Sequence, residues 1–111
     1  MVIDEISMTD LQYLSRINKR CTMARSLRSD SSELFGGLPI VILMGDFYQF
    51  PPVKGLPLWR KPRQNNEEEI AGKEIWQRFT NVILLDEQMR QAEDLPFRGL
   101  LRRARKCRID G

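Results

Sequence analysis

Three apolar runs in this sequence are each followed at once by polar side chains that could act together. The polar residues are Asp4, Glu5, Asp46, Gln49 and Arg90. If the runs are parallel strands of one sheet, their carboxyl ends meet at one edge and these side chains converge there. Carboxylates, an amide and a guanidinium suit phosphoryl transfer to water, in which the protein positions the reactants and neutralises charge.

Each of these side chains has a role that its chemistry permits. Asp4 would hold Mg²⁺, because a hard cation prefers carboxylate oxygen. Glu5 would orient and deprotonate the attacking water, and Gln49 would hydrogen-bond that water or the γ-phosphate. Arg90 would neutralise charge on the transferred phosphoryl group, a contribution worth roughly 10³ to 10⁵ in rate.

Each assignment also has a structural alternative. An Asp-Glu pair after an apolar run occurs often by chance, and the Gly45-Asp46 pair is typical of a turn. Arg90 can instead pair with Glu87 at the surface. Only the conjunction of the three groups, in this order, favours a site.

Composition narrows the possible chemistry and the class of protein. The chain has 111 residues, of which 41% are apolar and 30% charged, and it contains no histidine. These values are typical of one small globular domain or a piece of a larger one. Histidine triads and most catalytic zinc sites are excluded, and Cys21 and Cys107 are expected to be plain thiols. The apolar runs are far shorter than the ~20 residues that span a bilayer, so we expect a soluble, intracellular protein without membrane contact.

Hydrophobic periodicity and turn residues predict the elements that carry these groups. We expect strands over 1–3, 39–44 and 81–85, and helices over 10–25, 72–79 and from Asp94 onward. A loop over 26–37 is expected to tuck Leu34 and Phe35 against the domain, and an exposed connection is expected over 54–69. The first strand is shorter than an independent domain would have, so the start is interpreted as a truncation. Thr9 and Gln12 predict a capping box for the first helix, and its basic face, including Arg25, is expected to be solvated.

The last segment of the chain is strongly basic. Its cations are Arg98, Arg102, Arg103, Arg105, Lys106 and Arg108. Such a cluster suits a polyanionic partner. A solvated helix face with cations near its carboxyl end is an equally good interpretation.

Three segments together resemble a known family. Residues 2–8, 45–53 and 85–91 read Val-Ile-Asp-Glu-Ile-Ser-Met, Gly-Asp-Phe-Tyr-Gln-Phe-Pro-Pro-Val and Leu-Asp-Glu-Gln-Met-Arg-Gln. In order and type they resemble helicase motifs II, III and IV of the petite-integration-frequency (Pif-type) DNA helicases of superfamily 1, with the fungal type nearest. Members of this family are ATP-dependent enzymes that move 5′ to 3′ along single-stranded DNA.

The resemblance implies a fold and a division of the chain. The fold would be α/β, a partial RecA-like P-loop NTPase motor domain with parallel strands and flanking helices, truncated at both ends. Residues 1–80 would be the carboxyl-terminal part of the first motor domain, with the motif II and motif III strands as neighbours. Residues 81–111 would begin the second motor domain with a strand and a basic helix.

The resemblance also implies roles in an ATP site. Asp4 and Glu5 would be the Walker B pair, serving Mg²⁺ binding and water activation. Gln49 would couple the γ-phosphate of ATP to the DNA groove. Arg90 would reach that phosphate across the cleft between two motor domains.

The implied partner is single-stranded DNA or a DNA junction. Candidate contacts are Phe47, Tyr48, Pro51, Pro52, Arg102 and Arg103. Base stacking on such aromatic rings is worth ~1 to 3 kcal/mol per base, but core packing is an equal alternative for Phe47 and Phe50. By resemblance the protein would act as a monomer in DNA repair, recombination and telomere maintenance, in the nucleus or alternatively the mitochondrion.

One motif of the family does not occur in these 111 residues. There is no Gly-x-x-x-x-Gly-Lys-Ser/Thr phosphate loop, and Gly72-Lys73 lacks both the preceding glycine and the hydroxyl residue. We therefore expect that this polypeptide alone neither hydrolyses ATP nor unwinds DNA. A non-catalytic nucleic-acid-binding remnant and an unstable gene fragment are the alternatives.

Overall fold

The protein divides into two units. The structure is a computed structural model, and it describes residues 1–26, 33–86 and 93–105. One unit covers Met1–Thr80 and the other covers Asn81–Gly111. That these units belong to two different motor domains stays a prediction.

The first unit contains a small parallel sheet. Strand β1 covers Val2–Ile3 and strand β2 covers Ile42–Leu43, and the two pair in parallel. The Met44 N–H donates to the Ile3 carbonyl over 2.8 Å and continues the pairing past β2. The predicted α/β arrangement with neighbouring parallel strands is therefore confirmed, although each strand is shorter than the apolar run that predicted it.

Helix α1 covers Leu11–Ser26, close to the predicted range. Asp10 caps its amino-terminal end, because Asp10 Oδ1 accepts a hydrogen bond from the Tyr13 N–H over 2.6 Å. An Asp side chain is among the best acceptors at this position. The predicted cap at Thr9 is therefore wrong by one residue.

Helix α2 covers Glu67–Gln77 and begins earlier than predicted. Asn66 caps it, since Asn66 Oδ1 accepts a hydrogen bond from the Glu69 N–H over 3.1 Å. The three glutamates of the first turn lie at the positive end of the helix dipole, where negative charge is favourable. The prediction of an exposed connection through residue 69 is wrong because these acidic residues start a helix.

The core of the first unit draws on both helices, on the segments between them and on the turn before α1. Its buried apolar residues are Ile6, Leu11, Leu14, Phe35, Leu58 and Ile75. Gly72 of α2 lies so close to α1 that a Cβ atom at this position would overlap the Leu11 carbonyl oxygen. The two helices therefore approach backbone to backbone, which only glycine permits at this crossing.

The second unit contains helix α3, which covers Leu95–Arg105. The prediction of a helix after Asp94 is confirmed, since Asp94 Oδ1 accepts a hydrogen bond from the Phe97 N–H over 3.0 Å. Pro96 lies in the first turn, where the helix needs no N–H donor. None of the α3 residues is buried. Neither α3 nor any other helix in the described ranges is long and apolar enough to cross a membrane.

The strand predicted over residues 81–85 is not observed. Residues 81–86 have no regular secondary structure, and the side chains from Val82 to Leu85 are 77% to 89% exposed. A strand needs a neighbour to satisfy its backbone groups, and within the described part of the chain only β1 and β2 pair as strands. The apolar run has the residue types of a buried strand, but those types do not supply the neighbour.

Candidate functional site

The carboxyl ends of β1 and β2 lie side by side. The Ile6 N–H donates to the Met44 carbonyl over 2.9 Å and ties the chain after β1 to the end of β2. Gly45 follows with a φ of 151°, and a Cβ atom there would come within 2.7 Å of the Ile6 nitrogen. Glycine therefore allows the two strand ends to approach each other.

Asp4 and Glu5 are both exposed just after β1. Glu5 has a φ of 54° and a ψ of 45°, a left-handed conformation that costs a residue other than glycine about 1 to 2 kcal/mol. Asp4 Oδ1 accepts a hydrogen bond from the Glu5 N–H over 2.8 Å and supports this conformation. Backbone strain of this kind clusters at functional sites, so it favours a chemical role for Glu5.

A tight turn follows β2 and presents Gln49. The Gln49 N–H donates to the Asp46 carbonyl, and the Tyr48 N–H donates to Asp46 Oδ1, both over 3.0 Å. An Asp side chain that accepts a bond from the backbone two residues on is a common way to build a turn. Asp46 therefore shapes the turn, as its structural alternative predicted.

One open cleft brings together two residues of the predicted ATP site and two of the predicted nucleic-acid contacts, Tyr48 and Pro51. Glu5 and Gln49 both line it, and its volume is about 700 Å³. Its other lining residues are Met8, Tyr48, Phe50 and Pro51. Asp4 precedes Glu5 in the chain but does not line the cleft, and Arg90 lies outside the described residues. A carboxylate and an amide on one cleft can together orient a water molecule.

The acidic pair fits one kind of metal site. The described residues contain no group of three or more His, Cys, Asp or Glu side chains that could hold a metal ion by themselves. Mg²⁺ bound together with a nucleotide takes only one or two carboxylates and completes its shell with phosphate oxygens and water. The exposed Asp4 carboxylate fits this second arrangement.

The aromatic residues of the turn divide into one packed ring and two exposed rings. Phe47 lies edge to face against Trp59 and Trp76, with ring centroids 5.3 and 5.6 Å apart. Tyr48 and Phe50 are 71% and 82% exposed. Phe47 is thus held by the two tryptophan rings although it is 42% exposed and outside the buried core, and core packing is wrong for Phe50.

The other candidate nucleic-acid contacts lie in both units. Pro51 lines the cleft, and Pro52 lines the groove next to it. Arg102 and Arg103 are exposed in the last turn of α3. Each unit therefore offers its own candidate contacts.

The sequence did not reveal a clamp between α1 and the turn that leads to β2. Arg25 Nε donates to the Gly36 carbonyl over 2.6 Å, and Asn18 Oδ1 accepts a hydrogen bond from the Phe35 N–H, also over 2.6 Å. Phe35 and Gly36 both have positive φ angles, and these bonds hold the turn against the helix. The expectation of a solvated Arg25 is therefore wrong, and the Phe-Gly-Gly sequence was the one local signal of an unusual turn.

A buried carboxylate anchors the connection that follows the cleft. Glu69 is fully buried, and it accepts hydrogen bonds from the Arg63 Nε over 3.0 Å and from the Arg63 backbone N–H over 2.9 Å. The hydrogen bonds from Arg63 hold the pKa of Glu69 below its ordinary value, although burial opposes this. The ion pair fixes the end of the connection to the first turn of α2.

Most of the chain matches a single protein family. Residues 1–98, which include both strand ends and the cleft, match the family described as PIF1-like helicase. The chain belongs to the PIF1-like helicase family. The family resemblance predicted from the three motifs is thereby confirmed.

Several relatives of this PIF1-like chain carry helicase names. The chain is 36% identical over 110 residues to the ATP-dependent DNA helicase PIF1 of Saccharomyces cerevisiae strain YJM789, across 99% of its own length. It is 35% identical to the ATP-dependent DNA helicase RRM3 of S. cerevisiae strain S288c across 85% of its length. It is 37% identical to the ATP-dependent DNA helicase PIF1 of Mus musculus across 95% of its length. The chain covers only a small part of the length of these relatives: 12% of the first, 12% of the second and 14% of the third. No solved structure matches the chain.

Proposed function

We propose that this chain carries the coupling element of an ATP-dependent DNA helicase, which links ATP hydrolysis to movement along single-stranded DNA. The observation that carries the proposal is the shared cleft, in which Glu5 and Gln49 lie beside the exposed rings of Tyr48 and Phe50. Groups suited to nucleotide chemistry and groups suited to base stacking thus occur on one short turn. The proposed fold is a partial RecA-like P-loop motor domain, with which the parallel pairing of β1 and β2 agrees.

The proposed roles follow from the chemistry of each side chain. Asp4 holds Mg²⁺, which when bound neutralises charge on the phosphates of ATP. Glu5, which lines the cleft, orients and deprotonates the attacking water. Gln49 hydrogen-bonds the γ-phosphate or that water and passes the state of the nucleotide to the turn. The role of Arg90, which lies outside the described residues, rests on the family resemblance alone, by which it would reach the γ-phosphate.

Direction, setting and biological role belong to the same proposal and rest on the resemblance to Pif-type helicases of the fungal type. The parent enzyme moves 5′ to 3′ on single-stranded DNA or DNA junctions and acts as a monomer. It works in the nucleus, with the mitochondrion as the alternative compartment. Its roles are DNA repair, recombination and telomere maintenance.

The coupling role is tested in a chimera with a relative. Replacing the matching segment of the S. cerevisiae PIF1 helicase by these 111 residues joins them to the rest of an ATP-dependent helicase. We expect hydrolysis that rises with single-stranded DNA, no hydrolysis in Glu5→Gln, and a lowered basal hydrolysis that DNA no longer stimulates in Gln49→Ala. Gln64→Ala, exposed in the connection before α2, is the matched control. Phosphate release is measured with and without DNA, and a Gln49→Ala chimera that DNA stimulates normally would contradict the coupling role.

The 111-residue chain alone is proposed to be inactive as an enzyme. Without the phosphate loop, the β- and γ-phosphates have no backbone cradle in this polypeptide. We expect phosphate release at background level, with or without single-stranded DNA. Hydrolysis by the purified chain that rises with single-stranded DNA and disappears in Glu5→Gln would overturn this.

A second candidate function is non-catalytic binding of nucleic acid. It is favoured by the last turn of α3, where three arginines occur and both Arg102 and Arg103 are exposed. Binding through phosphate contacts weakens steeply with salt and is indifferent to nucleotide. Arg102→Ala and Arg103→Ala should each then lower the salt slope by roughly 1, and an unchanged slope would exclude this candidate. A chain that shows no cooperative melt by circular dichroism would favour the unstable-fragment alternative.

A further inference from the structure

A second open groove lies next to the cleft and extends it onto helix α1. Its volume is about 460 Å³, and its lining includes Met8, Tyr13, Val53 and Lys54. Met8 also lines the first cleft. The two depressions therefore adjoin each other at Met8, with Gln49 in the first and Tyr13 in the second.

The second groove has a flat aromatic ring and an aliphatic side chain at its surface. Tyr13 is 56% exposed and Val53 is 92% exposed. Phe47, by contrast, rests against two tryptophan rings in the same unit. Exposed apolar side chains that adjoin one another are typical of a binding surface.

The backbone around the groove is held in place by contacts between α1 and the segment after the cleft. The Leu11 N–H donates to the Leu56 carbonyl over 3.0 Å, and Asp10 pairs with Pro57 in an antiparallel bridge. Gly55 has a φ of 83° and lies directly against the Asp10 carboxylate. A ligand would therefore meet a surface that is already ordered, and binding would lose little backbone entropy.

We propose that this second groove binds the continuation of the single strand whose neighbouring bases stack on Tyr48 and Phe50. Tyr13 adds a stacking ring from α1, and Lys54 provides a cation for a backbone phosphate. The inference rests on the proposed function, because it extends the path of the same strand. Every base has an aromatic face, so the surface accepts any sequence, whereas the bases of a duplex are already stacked and unavailable.

The test is fluorescence anisotropy of a labelled oligothymidylate of about 15 nucleotides with the full 111-residue chain. We expect Tyr13→Ala and Tyr13→Leu to weaken binding about fivefold or more. Tyr13→Phe should bind like the unsubstituted 111-residue chain, because it keeps the ring. Lys54→Ala should lower the slope of log affinity against log salt by about 0.7. Met23→Ala, exposed on the same helix but outside the groove, is the matched control.

The outcomes separate this inference from the proposed function. If Tyr13→Ala and Tyr13→Leu bind as tightly as the parent, the inference is overturned, and the proposed function stands as long as Tyr48→Ala weakens binding. A chain that does not bind the oligothymidylate, or that binds a duplex of equal length as tightly, overturns the inference, whereas the proposed function is decided separately by the chimera. Circular dichroism melts of each variant establish that the fold is kept, and since Tyr13 is exposed its replacement leaves the core intact.

Discussion

Two acidic residues of this PIF1-like chain lie in opposite environments. Glu5 is exposed on the cleft and takes a left-handed backbone that glycine or asparagine would adopt at lower cost. Glu69 is buried, and Arg63 supplies its hydrogen bonds. Strain at an exposed carboxylate favours a chemical role, whereas a buried carboxylate with a charged partner favours a structural one.

The Glu69 pair predicts a specific pH dependence of stability. Because Arg63 lowers the pKa of Glu69 below its ordinary value of 4.5, the pair stabilises the fold above that pH and loses this contribution as the pH falls through the folded pKa. Glu69→Gln should therefore be less stable than the parent at neutral pH, and the difference should narrow in acid. Urea unfolding from about pH 7 to about pH 3 measures it.

The control for this prediction lies two residues earlier in the same turn. Glu67 is exposed in the same first turn of α2, so Glu67→Gln removes an equal charge without removing the buried pair. If the two variants show the same dependence on pH, the Glu69 pair does not make the predicted contribution.

At the scale of elements, helix α1 is the frame of the candidate site. Its first turn carries Tyr13 at the second groove, and Arg25 in its last turn clamps the turn that leads to β2. Helix α2 packs against α1 through the close approach of Gly72 to Leu11. A shift of α1 would therefore change the positions of both the second groove and the turn that leads to β2.

The helix crossing predicts a large effect of one added methyl group. Gly72→Ala should lower the free energy of unfolding by about 1 to 3 kcal/mol or more, because the Cβ atom forces the two backbones apart. This outweighs the gain of about 1 kcal/mol that alanine gives in a helix. Gly99→Ala is the matched control in α3, where the nearest atom to an added Cβ would be Arg103 Nη1 at 3.6 Å.

The measurement for the pair of glycine variants is urea unfolding followed by circular dichroism. Gly99→Ala should leave the transition unchanged or raise helix content. A Gly72→Ala chain as stable as the parent would mean that α1 and α2 do not approach as closely as described.

At the scale of the whole molecule, the most exposed apolar stretch is the run from Val82 to Leu85. Four consecutive large apolar side chains at 77% to 89% exposure are unusual in a monomeric protein. The monomeric state expected from the sequence stays a prediction, and this exposed run argues against it.

The run predicts self-association of the isolated chain. We expect the sedimentation coefficient to rise with protein concentration, because extended apolar segments pair with one another. Ile83→Lys should reduce the effect by placing a charge in the middle of the run. Met23→Lys, which alters a single exposed apolar residue on α1, should not reduce the association. If Ile83→Lys associates as much as the unsubstituted chain, the run is not the cause.

The sequence by itself determined the family and the existence of helices α1 and α3, because these depend on local patterns. The parallel pairing of the first two strands was implied only by the family resemblance. The segment from Gly45 to Val53 combines a glycine at a close approach, an aspartate that shapes a turn and a proline pair, each acting over a few residues. Apolar spacing and a capping aspartate are equally local, and so they predicted α1 and α3.

Only the tertiary structure decided which side chains are buried and which segments find a partner. The sequence could not tell that Phe47 contacts two tryptophan rings while Phe50 is 82% exposed, because both are aromatic and Trp76 is distant from Phe47 in the chain. The sequence predicted a solvated Arg25, and only the tertiary structure brings the Gly36 carbonyl into hydrogen-bond contact with it. The run 81–85 has the composition of a strand, yet a strand exists only where a neighbour completes its hydrogen bonds, and composition carries no information about that neighbour.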